Sequence, residues 1–558
     1  MLTKLPPELF ERIFIHLKLR DIFACSETCK LLRSAITKSP VLQYQIELEI
    51  AGLEEGSPST FSTHARLQAV RAYQRRWNTL DWRKQVVAPF WDNGNIWDLC
   101  GGIFGQGNVG TRGRAFHFTR LPSHARGAAT IESWEFKNIN IENGVRDFTF
   151  VPSLDLLVLL DMKSWPLTVH FRTLSTNVPH PGAAKPVFEY RREGVQTDVV
   201  RDESFYLQVM NDLFAVLRLP RGLTGGFLHS QNELIIGNWR TGELLTTIMT
   251  PNLALLTFTF VSSQYILLGV ADDDNFPDWF PIPANPRIQI WKFNPKARSQ
   301  ATLACTMDLP QMEPHHRVGF LLARSDPPPD CTVPPERPFG IARDDRLLVL
   351  TLAIRRDTLE MVEIINFFVL MSTLIEFSER AGDEPVTYPF DLWANRARVI
   401  PTRREMTWVC YVYGLRFIVA LDLPGRTGLV NACVFDFNQI EARRTQHEIL
   451  CGPKLEDDQV DEEMIIVDED EVAVDLDEEN KKEDDDEGWE DDTRAKVDVL
   501  FKQTMHSSES FIRPILTGLP FRRLVSPTPL NCSALMLDED NIVCVKENEP
   551  RRLVFLPL

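Results

Sequence analysis

The sequence predicts a multidomain chain of the α plus all-β class, helical up to residue 81 and all-β from residue 82 to 558. Three observations carry this. Near the N-terminus apolar residues recur four apart; beyond residue 82 short β-branched and aromatic runs alternate with Gly, Pro, Asn and Asp; and two of those runs repeat 110 residues apart. At 558 residues the chain exceeds one ordinary core, for which ~100–200 residues is usual.

The helical part opens with LPPELFERIFIHL, Leu5 to Leu17. Pro6 and Pro7 suit a helix start, where a missing amide donor costs nothing, and Leu9, Ile13 and Leu17 then share one face with Phe10 and Phe14 beside them. Glu8, Glu11 and Arg12 break the uncharged run that a secretory signal needs. Asp21 is read as the cap of a second helix, Cys25, Cys29, Leu32 and Ile36 keep helical spacing, and Ser39-Pro40 opens a further helix that ends at Gly52. So small a bundle leaves apolar surface over, which marks a protein interface.

The segment LPPELFERIFIHLKLRDIFACSETCKLLRSAITKSPVLQY resembles an F-box, the trihelical motif that docks on the Skp-type adaptor of cullin-based ubiquitin ligases. The resemblance rests on Leu5-Pro6, Glu8-Leu9, Ile13-Phe14, Leu17, Leu19, Asp21-Ile22 and Cys29 in register; Leu32 and Tyr44 stand where the family often has an aromatic and a tryptophan. It implies an F-box domain over residues 1–50, with Leu5, Pro6, Leu9, Ile13, Leu17, Ile22 and Cys29 contacting the adaptor. Residues 51–81 are a linker whose helix, Ser62 to Leu80, carries Leu67, Val70 and Trp77 on one side and Arg66, Arg71, Arg75 and Arg76 elsewhere. Its expected role is a spacer joining the F-box to the body.

In the body, DFTFVPSLDLLVLLD (147 to 161) and TFTFVSSQYILLGVA (257 to 271) are near-copies, with a similar unit between them in which Thr241-Gly242 makes a turn. One intervening unit implies a repeat near 55 residues. Further units at 90 to 136, 316 to 377, 393 to 440 and 508 to 558 make about seven, and the pattern resembles the WD-repeat-like β-propellers that follow F-boxes. Asn238-Trp239 and Ile290-Trp291 are diverged echoes of the family signature; a β-sandwich pair or a solenoid is the competing architecture. Ser325 to Pro338 is too rich in proline to be regular. Glu456 to Asp492 is too charged to collapse, and is expected as a disordered insertion before the last blade.

Charge and cysteine usage narrow the function. Of the formal −18, the run from Glu456 to Asp492 supplies 22 Asp/Glu against Lys481 and Lys482, so the remainder is near neutral at about +2. No nucleic-acid face is expected from that balance. The longest later apolar run, Ile364 to Ile375, is shorter than the ~20 residues of a membrane span and suits buried strands. Ten cysteines without a CxxC pair read as reduced thiols, in the cytoplasm or nucleus.

Other motifs carry little chemistry. GQGNVG, Gly105 to Gly110, fits G-x-G-x-x-G, but no helix follows to receive a phosphate, so it reads as a blade turn. His315-His316 lacks companion ligands and reads as surface histidine, with no metal or cofactor. Arginine pairs at 191-192, 355-356, 403-404, 443-444, 522-523 and 551-552 would read an acidic or phosphorylated target if the fold brought several together.

The resemblance thus implies a non-catalytic substrate receptor of an SCF-type ligase: the F-box holds the Skp-type adaptor and through it a cullin, and the propeller holds a target protein. The rivals are an adaptor-binding scaffold without a role in degradation, and an enzyme in the propeller channel. Convergent carboxylates or histidines with strongly perturbed pKa values would favour the enzyme.

Overall fold

The computed structural model describes residues 6–558 apart from 57–60, 81, 83–84, 92–93, 95, 109–114, 129, 138, 163–165, 193–199, 223–231, 251, 273–283, 330–332, 334–336, 343–345, 358–359, 383, 403–409, 424, 427, 452–494 and 547–551. The acidic run from Glu456 to Asp492 therefore lies outside the described residues, as does Leu5. No described helix is long and apolar enough to cross a membrane.

Four short helices open the chain: α1 (Pro7–Phe14), α2 (Leu19–Thr28), α3 (Lys30–Lys38) and α4 (Pro40–Ile50). Ser39 caps α4 by accepting the Leu42 amide at 3.3 Å, as its sequence position suggests. Asp21 does not cap α2; Lys18 occupies that position, and Asp21 lies in the first turn, where its charge still suits the helix dipole. Phe10 and Phe14 stack at 5.9 Å and bury themselves among Leu19, Ile22, Leu32, Ile36, Leu42 and Ile46.

The body is a seven-bladed β-propeller. Blade 1 takes Ile96–Cys100, Ile103–Gly107, Phe116–Arg120 and Glu132–Phe136; blade 2 begins at Val145, blade 3 at Val200 and blade 4 at Leu253. The repeated sequences prove to be the first two strands of blades 2 and 4. Blade 5 runs from His316 to Thr402 with α6 (Met371–Arg380) inserted, so the Ile364 to Ile375 run is half strand and half helix. Apolar clusters fill the spaces between neighbouring blades, as alternating side chains from two stacked sheets require.

Two expected units are drawn differently. Val86–Pro89, before the first expected unit, pairs with Arg552–Pro557 as the outer strand of blade 7, whose other strands are Asn541–Lys546 and Ala534–Leu537. The N-terminal strand closes the ring. Phe521–Val525 and Lys496–Leu500 belong to blade 6, beside Leu429–Asp436, so the acidic run falls between strands of that blade in chain order, after α7 (Gln439–Cys451) and still ahead of the last blade. The reason is order: Lys496–Leu500 comes first in the chain but takes the outer edge, so no sequence neighbour announces its partner.

The spacer helix expected to join the F-box to the body packs tightly against both. Helix α5 (Thr63–Thr79) is capped by Ser62 Oγ on the Ala65 amide and ended by Leu80 at φ 45°. Its Leu67, Val70, Tyr73 and Trp77 share one core with Tyr44 and Leu48 of α4 and with Phe417, Phe435 and Leu556 of the propeller. Arg416 locks it, donating to the Tyr73 hydroxyl at 2.9 Å with its guanidinium 4.5 Å from the Trp77 ring. Burial by itself would raise the Asp436 carboxyl, but Arg522 and Arg416 hold it below the ordinary value. Leu53–Glu55 pairs with Phe339–Ile341, and the Tyr44 hydroxyl donates to Pro338 at 2.9 Å.

Candidate functional site

The first candidate surface is the outward side of the helical bundle. Because Phe10 and Phe14 turn inward, Leu9 and Ile13, one residue before each, point out and are 42% and 41% exposed. Helix α1 is held in place by Glu11, which accepts from the Ser39 hydroxyl at 2.6 Å, and Gln45 donates to the Leu17 carbonyl at 3.2 Å. Of the residues expected to contact an adaptor, Pro6, Leu9 and Ile13 face solvent, while Leu17 and Cys29 are half-buried against the bundle core. Ile22 is wholly buried, and Leu5 is not described.

Ile15, Phe23 and Leu31 also face out, the last 49% exposed, and the sequence reading missed them. The signal was present in adjacent apolar pairs. In Ile22-Phe23 and Leu31-Leu32 only one partner can face the core, and on this backbone Ile22 and Leu32 do.

The second candidate is the channel along the propeller axis. It encloses about 310 Å³ and is walled by the first strands of blades 1 to 5, with Pro328 and Pro329 of the proline-rich loop beside Ser153, Leu154 and Asn211. Among the described residues four of the lining are charged: Asp98, Asp147, Arg324 and Asp326. Asp98 accepts from the Thr149 hydroxyl at 2.8 Å and from its neighbour's amide, Leu99, at 2.9 Å. Among the described residues Asp147 accepts only from the Phe148 amide, at 2.9 Å.

Burial pushes all three carboxyls up. Asp147 reaches about 7, burial and the Asp98 charge outweighing the Phe148 amide. Asp326 reaches about 6, burial and Asp98 outweighing the attraction of Arg324 and Arg346. Asp98 rises for the same first reason, restrained by the Thr149 hydroxyl, the Leu99 and Phe150 amides and the Arg324 charge. This convergence is the feature that the sequence could not place.

The remaining motifs dissolve into structure. Gly105 and Gly107 lie within a strand of blade 1, where a Cβ would stand 2.7 Å from Phe150 and 2.6 Å from Phe116; aromatic packing, not phosphate, demands glycine there. Val109 and Gly110 are not described. His315 is exposed, but His316 is buried at the first position of blade 5, a correction to the surface reading. Among the described residues no group of three His, Cys, Asp or Glu is placed to hold a metal. Described members of the arginine pairs are held in ion pairs: Arg522 with Asp436 and Glu441, Arg444 with Glu441 and Glu448, Arg523 with Asp498, and Arg356 with Glu360 and Glu509, while Arg403, Arg404 and Arg551 lie outside the described residues.

Fold and surface together define a class, a helical docking motif fixed to a seven-bladed β-propeller. The helices are an F-box domain: the family's sequence profile matches residues 2–44. F-box domains bind Skp-type adaptors, and the architecture fits an F-box substrate receptor in general terms. Among curated proteins no match is found. Similar solved structures include a protein of Listeria monocytogenes EGD-e (8% identity, 63% of this chain and 95% of that one, TM-score 0.25). The C-terminal WD40 domain of Sif2 has 9% identity over 60% and 95%, with TM-score 0.24. Oligopeptidase B from Leishmania major has 11% over 73% and 59%, with TM-score 0.25. Scores this low carry no argument about function.

Proposed function

We propose that this protein is a non-catalytic substrate receptor of a cullin-based SCF-type ubiquitin ligase, acting in the cytoplasm or nucleus. The observation that carries the reading is the F-box whose Leu9 and Ile13 face solvent while its α4 is fused into the propeller core. Apolar residues exposed on a bundle of this size gain free energy when a partner covers them. With Pro6, Ile15, Phe23 and Leu31 it supplies the adaptor contacts, and Ile22 supports that surface from beneath. The joint at α5 makes the distance from adaptor to propeller fixed instead of tethered. Fixed geometry raises the effective concentration of a target lysine near the activated conjugate, so the chain contributes proximity and other subunits contribute chemistry.

The channel carboxylates favour a second reading, an enzyme working on its own. Reconstitution separates the two. The receptor reading expects full-length protein to assemble with Skp-type adaptor and cullin, and target modification only when those subunits and the conjugating enzyme are present. Modification of a target by the purified chain alone would overturn it.

A further inference from the structure

We propose that the axial channel is a binding site for an organic cation, an ammonium or guanidinium group on a chain the size of a lysine or arginine side chain, held by Asp98, Asp147 and Asp326. This goes beyond the adaptor reading and does not depend on it.

Charge is the first argument. Among the described residues the lining holds three half-buried carboxylates against one guanidinium, Arg324, and even with Arg346 acting on Asp326 from beside the lining one negative charge is left unmatched when all are ionised. A partly desolvated charge without a partner is costly, so the channel favours whatever neutralises it. Hydrogen-bonding capacity is the second. An ionised carboxylate accepts about four hydrogen bonds. From the described residues Asp147 receives one, and the Asp326 side chain receives none. Both carboxylates, like the Arg324 guanidinium, line the cavity.

Geometry then selects the kind of cation. The three carboxylates are not grouped closely enough to hold a metal ion among the described residues. Spread carboxylates around about 310 Å³ suit a cation with several donors and an aliphatic stem. The walls provide for the stem: Trp97, Phe205, Tyr206 and Leu207 line the same space, and Thr149, Gln208 and Thr259 add neutral donors and acceptors. An anion would meet excess negative charge, and a neutral ligand would leave that charge unmatched.

The cation binds the ionised carboxylates, so affinity grows as pH rises through about 6 for Asp326 and about 7 for Asp147. The other groups facing these two are Asp98, Arg324 and Arg346, with Tyr206, Tyr411 and Cys410 beside Arg324.

The test is calorimetric titration of the full-length protein with a capped lysine peptide, a capped arginine peptide, spermidine and a capped glutamate peptide. Expected are saturable binding of at least one basic probe, affinity about tenfold greater at pH 8 than at pH 6, and proton release seen in buffers of different ionisation heat. Asp147→Asn and Asp326→Asn, which keep side-chain shape, should each weaken it about tenfold or more at pH 8 with an unchanged circular dichroism spectrum. A peptide stronger than spermidine identifies a target side chain, and the reverse a free amine; both uphold the site. No binding of any basic probe, binding undiminished in both variants, or preference for the glutamate peptide would overturn it.

Discussion

The bundle and the propeller handle surplus side chains in opposite ways: the bundle turns large apolar residues out to solvent, and the propeller turns charged residues in toward its axis. Size explains both. Four short helices cannot enclose all of their apolar residues, so with Phe10, Phe14, Ile22 and Leu32 inside, Leu9, Ile13, Phe23 and Leu31 remain outside. Seven stacked blades enclose far more volume, and can shelter charge provided it is matched. Arg398, for example, is lowered to about 10 by burial but donates to the Leu519 and Lys502 carbonyls at 2.8 and 3.0 Å. A surplus on one region therefore points to an apolar partner, and the unmatched carboxylates of the other point to a polar one.

The largest effect expected on stability comes from the joint between the two regions. Trp77→Ala should lower unfolding free energy by about 3–5 kcal/mol in urea, because its ring packs in the core shared by α4, α5 and blades 6 and 7. A loss within a few tenths of a kcal/mol would mean that the bundle hangs freely. Next, Phe14→Ala should open the bundle alone. Hydrogen exchange should quicken in α1 to α3 while the blades keep their protection, and loosening that spread through blades 1 to 4 would erase the contrast.

A smaller effect separates buried charge from buried apolar surface. Asp147 titrates at about 7 in the folded protein and near 3.8 once unfolded, so the folded state holds its proton more tightly. Such a group costs stability as pH rises between those values. Asp147→Asn should therefore raise the melting temperature at pH 8, by about 2 °C, and leave it nearly unchanged at pH 4. A destabilised variant at pH 8 would show that the carboxylate is already paired. Asp436 runs the other way: held low by Arg522 and Arg416, it contributes stability above its unfolded pKa that is lost as pH falls. Smallest of all, deleting 456–492 should shift the melting temperature by no more than about 1 °C, since so charged a sequence has little apolar surface to contribute to a core. A large drop would place that run within the fold.

Local signals were legible and remote ones were not. Ser39, Ser62 and Leu80 could be read as helix ends because a cap is satisfied within three or four residues. The copies at 147 and 257 revealed the repeat because each blade solves the same packing problem with the same alternation. The strand at Val86–Pro89 was missed because its partner lies at the other end of the chain, and Lys496–Leu500 because it pairs out of order. On the docking surface, the four-residue spacing found Leu9 and Ile13 but could not tell that Ile22 and not Phe23 turns inward. The channel cluster was invisible since Asp98, Asp147 and Asp326 meet only when three blades close about one axis.

The most direct measurement is the affinity of the full-length protein for a Skp-type adaptor, compared with that of a Leu9→Asp/Ile13→Asp variant, alongside the melting temperature of each. Tight binding by the native chain is expected, with loss of about a hundredfold or more in the variant and the same melting temperature, since both residues already face water. Equal binding by both proteins, or none by either, would contradict this expectation.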